Sequence, residues 1–309
     1  MTRTVTILGP QRRPTLDQAI RRLHGDGPIA MITAGWQERE PDDGEVDRLL
    51  GGRGVQLDLH ARWQNVLARD REFAGAELEH RAVLDEMQLL YLTQLDHALG
   101  SLYAVARRAN DRPRTRTAAL ADAMAVVKLV DERHLRRVKA AHQDFYGAWR
   151  PHERPLLADH RQQVHEILLT SAAVVVAGGH VGVLNRVLHL FNVTPYLPAY
   201  VVAWSAGAMA LSDRIVLFHD RAPQGPSHAE VYDEGIGVLE GAVFLPHARR
   251  RLMVDDLTRM STLATRFGPA TCVVLDDGMR LELGADGELP RGARVIDEDG
   301  RIRSRGTAA

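Results

Sequence analysis

Ser205 stands between the apolar run Tyr200-Val-Val-Ala-Trp204 and the helix-forming run Ala206 to Leu211. A serine at a tight strand-to-helix turn is presented at the carboxyl end of a sheet. The helix behind it supplies free amides and a positive dipole end, and small neighbours permit the turn. That is the setting of a nucleophile elbow, with Ala203 where the G-x-S-x-G pattern has its first glycine. Helix capping produces similar surroundings. A serine hydroxyl attacks a carbonyl at neutral pH only when a base takes its proton and a third group orients that base. With fourteen histidines in the chain, spacing alone does not select the base. His247 closes the strand-like run Val243-Phe-Leu-Pro-His247, and Asp276 and Asp277 follow Cys272-Val-Val-Leu275. Strand ends are where catalytic groups collect, although Asp-Asp-Gly278 is also an ordinary turn sequence.

Other chemistries fit less well. Gly178-Gly-His-Val-Gly182 lacks the G-x-G-x-x-G spacing of a dinucleotide loop and has no acidic residue about 20 positions on. His165-Glu166 begins like a zinc-binding helix, but position 169 is Leu, so H-E-x-x-H fails. The sole cysteine, Cys272, lies inside an apolar run and reads as a small buried hydrophobe. Gly35-Trp-Gln-Glu-Arg39 follows the second strand, so Trp36 or Gln37 would lie at the same sheet end as the elbow; a buried anchoring Trp is the plainer reading.

The elements that must position these residues fall into three blocks. Residues 1–64 read as strand Val5 to Leu8, helix Pro14 to Leu23, strand Ile29 to Ala34, helix Pro41 to Leu50 and strand Gly54 to Leu59. This β-α-β-α-β rhythm requires crossover helices and parallel strands. Residues 65–167 read as a helical insertion, with Leu84, Met87, Tyr91, Leu95, Leu99 and Leu102 at three- and four-residue steps and Leu120, Met124, Val127, Val130 and Val138 following. Breaks are expected at Asp111-Arg-Pro113 and at Pro151 and Pro155. Residues 168–309 resume with the almost wholly apolar strand Ala172-Ala-Val-Val-Val-Ala-Gly-Gly179, a helix from Val183 to Leu190 and the strand before the elbow. A loop over Asp220 to His228, a helix from Val254 to Arg266, strands at Cys272 to Leu275 and Met279 to Leu283, and a polar tail from Gly300 complete the reading. The expected fold class is α/β, a doubly wound, mostly parallel sheet carrying a large α-helical insertion.

Thirty-nine basic against forty acidic side chains leave no global excess of positive charge to attract nucleic acid or an anionic membrane. No apolar stretch of about 18 residues is present, and Met1-Thr-Arg-Thr-Val5 leads straight into a strand, so neither a membrane span nor a signal peptide is expected. One cysteine forms no internal disulfide, and the expected location is the cytoplasm. The long amphipathic helices offer a second apolar face, and a homodimer is expected from it.

Val174-Val-Val-Ala-Gly-Gly179, Ala203-Trp-Ser-Ala-Gly-Ala208, Leu245-Pro-His247 and Leu275-Asp-Asp-Gly278 occur here in the order seen in the aspartyl dipeptidase (peptidase E) and cyanophycinase family. The chain resembles these serine peptidases of class I glutamine amidotransferase-like fold over residues 1–64 and 168–290. The resemblance implies Ser205 as nucleophile, His247 as general base and acid, Asp277 as the acidic third member with Asp276 as the alternative, and Gly179 and Ala206 as oxyanion-hole amides. Gly178, His180, Trp204 and Arg251 are expected at the substrate, where an arginine of Arg249-Arg-Arg251 would bind a carboxylate; a solvated helix start is the plainer reading of that run. The implied substrate is a small Asp-X or β-linked Asp peptide, cleaved without metal or organic cofactor. Three departures stand out: His180 follows the glycine pair, Ala248 replaces an aromatic after the histidine, and residues 65–167 have no counterpart. The alternative is a non-catalytic ligand-binding or assembly module on the same fold, with the helical insertion as its partner surface.

Overall fold

The computed structural model describes residues 3–12, 14–23, 25–108, 112–220, 228–284 and 287–306. Most of the Asp220 to His228 loop, Asp111 of the expected break and the last three residues of the tail lie outside them. In chain order the first block runs β1 (Thr4–Leu8), α1 (Leu16–Ile20), β2 (Ile29–Ile32), α2 (Gly44–Leu49) and β3 (Gly54–Gln56). Four helices follow: α3 (Leu59–Arg69), α4 (Arg71–Arg107), α5 (Pro113–Trp149) and α6 (Pro155–Thr170). Then come β4 (Ala173–Val176), α7 (Val181–Leu190), β5 (Tyr200–Trp204), α8 (Ala206–Leu211), β6 (Ile215–Leu217) and β7 (Glu230–Asp233). The chain closes with β8 (Ala242–Pro246), α9 (Ala248–Arg251), α10 (Leu257–Phe267), β9 (Thr271–Leu275), β10 (Arg280–Leu283), β11 (Arg294–Ile296) and β12 (Ile302–Ser304). No helix among the described residues is long and apolar enough to cross a membrane.

The main sheet has the order β10-β1-β5-β4-β2-β3, parallel throughout except for β10. β4 lies at its centre and every residue of it is buried, as an unbroken Ala-Val-Val-Val run requires. Alternation decides which layer each side chain joins. Val174 and Val176 join Ile7, Ala30 and Ile32 on the face covered by α3, α6, α7 and α8. Ala173 and Val175 join Leu8, Ile29 and Met31 on the face covered by α1 and α2. The α/β class with a mostly parallel sheet is therefore the observed architecture. A second sheet, β12-β11-β9-β8, begins with the parallel pair β8 and β9, and β6 and β7 form an antiparallel ribbon.

Two expectations change. The third strand stops at Gln56, because Asp58 turns left-handed (φ 51°) and Leu59 already opens α3. The polar tail contains β12: Gly300 (φ 81°) reverses the chain and Ile302 pairs antiparallel with Ile296. Three residues with one apolar side chain are too short a signal to show periodicity.

The helices from α3 to α6 are held by polar anchors to one another, to β7 and to α10. Arg266 of α10 is 4 % exposed and its guanidinium reaches both oxygens of Asp131 in α5, at 2.6 and 2.7 Å. The Tyr91 hydroxyl of α4 donates to Asp131 (2.8 Å) and accepts from the Val231 amide (3.0 Å). Burying a charge demands such complete pairing. At the other end, Asp70 caps α4 through the Phe73 amide and binds Arg154 at the start of α6 with both oxygens at 2.6 Å.

Candidate functional site

Parallel strands place their carboxyl ends together, and ligands of open α/β sheets bind in the crevice outside those ends. Leu8 of β1 is in register with Trp204 of β5, Ala203 with Val176 of β4, and Val176 with Ile32 of β2. The next residues along these four strands therefore emerge at one edge of the sheet. They are Gly9-Pro10, Ser205, Gly178-Gly179 and Gly35-Trp36.

Ser205 has φ 54° and ψ −118°, a backbone conformation that non-glycine residues seldom hold. Such strain lifts the hydroxyl off the strand end and lets α8 start at once. Gly207 has to lack a side chain because a Cβ there would lie 2.3 Å from the Val176 carbonyl oxygen of β4. Ala206 is the first helical residue, so its amide has no helical carbonyl behind it.

The glycine pair meets the serine from β4. A Cβ on Gly178 would lie 2.9 Å from the Ser205 Cβ. Gly179 has φ 129°, and a Cβ on it would lie 2.4 Å from the Gly35 carbonyl oxygen. That same oxygen accepts from the His180 amide at 2.7 Å, which pins the loop in place. The His180 ring points to its own helix: Nδ1 accepts from the Val183 amide (3.2 Å) and caps α7.

His247 follows β8 in a left-handed conformation (φ 57°) and donates its amide to the Leu275 carbonyl at 2.9 Å, joining the ends of β8 and β9. Its imidazole is half-buried. Desolvation first, then the Arg251 guanidinium, hold its pKa below the usual histidine value, with Arg12 and Arg250 acting the same way; the charge of Asp277 opposes them. The ring is therefore neutral at neutral pH and able to accept a proton. Asp276, the neighbouring carboxylate, is committed elsewhere: it accepts from the Arg249 amide (3.2 Å) and pairs with the Arg249 guanidinium (3.3 Å). Asp277 is exposed.

Ser205, His247, Gly178, Gly179, Trp204 and Trp36 line one cavity of about 520 Å³. No hydrogen bond among the described residues joins Ser205 to His247. Arg251 and Asp277 are not on the cavity wall. Residues that carried no motif are there instead: Gln11 and Arg12 from the turn after β1, and Arg39, Asp42 and Glu45 around the start of α2. Arg39 is paired with Asp42 at 3.1 Å. The rule that strand ends collect functional groups would have pointed to Arg12, which follows β1 by four positions. No residue of α3 to α6 lines this cavity, which separates the helical insertion from the mouth. Cys272 is buried in β9, and burial pushes its thiol up to about 12, far from a reactive thiolate.

No protein-family model matches the chain, and no curated protein matches it. Among solved structures it is similar to a peptidase from an acI-B1 Actinobacterium, at 12 % identity and a TM-score of 0.45, over 96 % of this chain and 92 % of that one. No residue's role in this chain rests on that likeness.

Proposed function

We propose that the chain is a serine hydrolase that cleaves a small peptide or isopeptide, of the Asp-X or β-linked Asp kind, through an acyl-enzyme on Ser205. The observation that carries this reading is the strained backbone of Ser205 at the tip of β5, in one cavity with His247 and the Gly178-Gly179 loop. Neutral His247 accepts the hydroxyl proton as Oγ attacks the carbonyl carbon. The Gly179 and Ala206 amides donate to the oxyanion, each commonly contributing a few kcal/mol of transition-state stabilisation. The imidazolium then gives its proton to the leaving amine as the C–N bond breaks. Water, deprotonated by the same ring, releases the acid product. Asp277 offsets the neighbouring arginines and favours the charged imidazole that forms in each half-reaction. Arg12 makes no ion pair among the described residues and is the wall cation open to a substrate carboxylate.

The second reading, a non-catalytic ligand-binding module, is favoured by the missing Ser205–His247 hydrogen bond. A fluorophosphonate probe separates the two, because it reacts only with an activated hydroxyl. Labelling mapped to Ser205 and absent from Ser205→Ala is expected, together with at least about a 10⁴-fold loss of turnover on a panel of Asp-X and β-linked Asp dipeptides. Turnover unchanged in Ser205→Ala would remove the assigned nucleophile, and silence of the folded wild type would favour the binding module.

A further inference from the structure

The hairpin of α4 and α5 leaves one face to solvent. Four of the large hydrophobic side chains that stand exposed among the described residues lie on it: Val83, Leu90, Val126 and Leu129. Val83, Met87 and Leu90 follow i, i+4, i+7 and form one stripe along α4. Val126, Leu129 and Val130 continue it on α5. Between the helices runs a groove of about 580 Å³ walled by Val83, Met87 and Trp149 together with the charged Glu79, Arg137 and Asp144. The His80–His142 contact (3.0 Å) and the Tyr91–Asp131 bond (2.8 Å) set the antiparallel register. Val83 accordingly lies at about the level of Ala140 and Ala141, Glu86 at that of Arg137, and Leu90 at that of Arg133.

Charge is uneven between the two helices. α4 carries six acidic against three basic side chains, α5 seven basic against four acidic. Glu79 and Glu86 on α4, and Arg133 and Arg137 on α5, are exposed and form no ion pair within the chain among the described residues.

We propose that this face is the interface between two copies of the chain, related by a two-fold axis running along the hairpin. Rotation about such an axis keeps each residue at its own level and sets α4 of one copy against α5 of the other. Acidic helix then meets basic helix twice, as an isologous contact requires. Glu86 of one copy faces Arg137 of the other, and Leu90 packs near Leu129 and Arg133. A two-fold perpendicular to the helices would instead stack α4 on α4, acid upon acid. Two helices of 37 residues present a face roughly 55 Å by 20 Å, or about 1,100 Å² per copy. A standard stable interface takes about 800 Å² from each partner.

Light scattering on the full chain at tens of micromolar tests the arrangement. The wild type is expected at twice the 34.3 kDa chain mass. Leu90→Asp combined with Leu129→Asp is expected at one chain mass with unchanged far-ultraviolet circular dichroism, since both side chains are exposed. Glu86→Arg alone and Arg137→Glu alone are each expected to dissociate the dimer, and the two together to restore it. A wild type of single-chain mass, or a dimer that survives the two aspartates, would overturn the interface. Failure of the charge swap to restore association would overturn the pairing of α4 with α5.

Discussion

Gly179→Ala offers the sharpest test of the oxyanion assignment, because the structure supplies the size of the perturbation. The new Cβ would lie 2.4 Å from the Gly35 carbonyl oxygen and 2.5 Å from its carbon, where ordinary contact begins at 3.4 Å. Backbone resists on both sides, so relief requires the loop to move by about 1 Å, a displacement that commonly costs about 100-fold in rate. The φ of 129° adds strain of about 1–3 kcal/mol for any residue with a side chain. Both effects act on the peptide whose amide is assigned to the oxyanion, and losing one such donor lowers kcat by about 10²–10³. The expected result is a loss of that size in kcat/KM on the cleaved dipeptide, and a matching loss in the rate of fluorophosphonate labelling, whose phosphoryl oxygen occupies the same place. Urea unfolding measured alongside should show a destabilisation of no more than about 3 kcal/mol, leaving the enzyme folded. A variant that keeps kcat/KM within about threefold of wild type would refute the assignment, because a loop displaced on this scale would not spare a donor that stabilises the transition state.

The pH profile carries a further test. His247 has a lowered pKa, so the acid limb of kcat/KM is expected to fall below the ordinary histidine range near 6.5. Asp277→Asn removes a charge that raises this pKa and should move the limb to still lower pH while reducing kcat; an unmoved limb would separate Asp277 from the histidine. Burial also holds His80 and His134 at about 4. Between pH 6.5 and 4 the unfolded chain then binds more protons than the folded one, so stability present above 6.5 is lost as pH falls through this window. The urea midpoint at pH 5 should lie below that at pH 7.5, and equal midpoints would count against buried neutral rings. Arg266→Met leaves Asp131 buried without its cation and should destabilise by about 3–5 kcal/mol in urea unfolding.

Much of the scaffold was legible because it rests on local patterns. The apolar run that opens at Ala172 and closes on Gly178-Gly179 fits a strand covered on both faces, and its first part, Ala173–Val176, is the central β4. Pro113, Pro151 and Pro155 mark helical starts because proline tolerates only the first turn. The elbow was readable for a similar reason: an apolar β-branched strand followed directly by small residues leaves Ser205 no gradual way to turn. Strands β6, β7, β11 and β12 are not legible in the sequence because each is three or four residues long, too short to show a period, and is held by pairing with another strand.

The sequence by itself determined the longer elements, the parallel sheet and the position of Ser205 at a strand end, since periodicity and turn chemistry act between neighbours. Only the tertiary structure decided which residues share the cavity. Arg12, Arg39 and Glu45 carry no motif and reach it because the ends of β1 and β2 emerge at the same edge of the sheet as that of β5. Tertiary structure also decided which of two adjacent aspartates is engaged, because Arg249 reaches Asp276 only when α9 folds over the end of β9. It likewise decided that the α4–α5 hairpin stands apart from the serine. Such relations depend on contacts between residues far apart in the chain, and no local pattern records them.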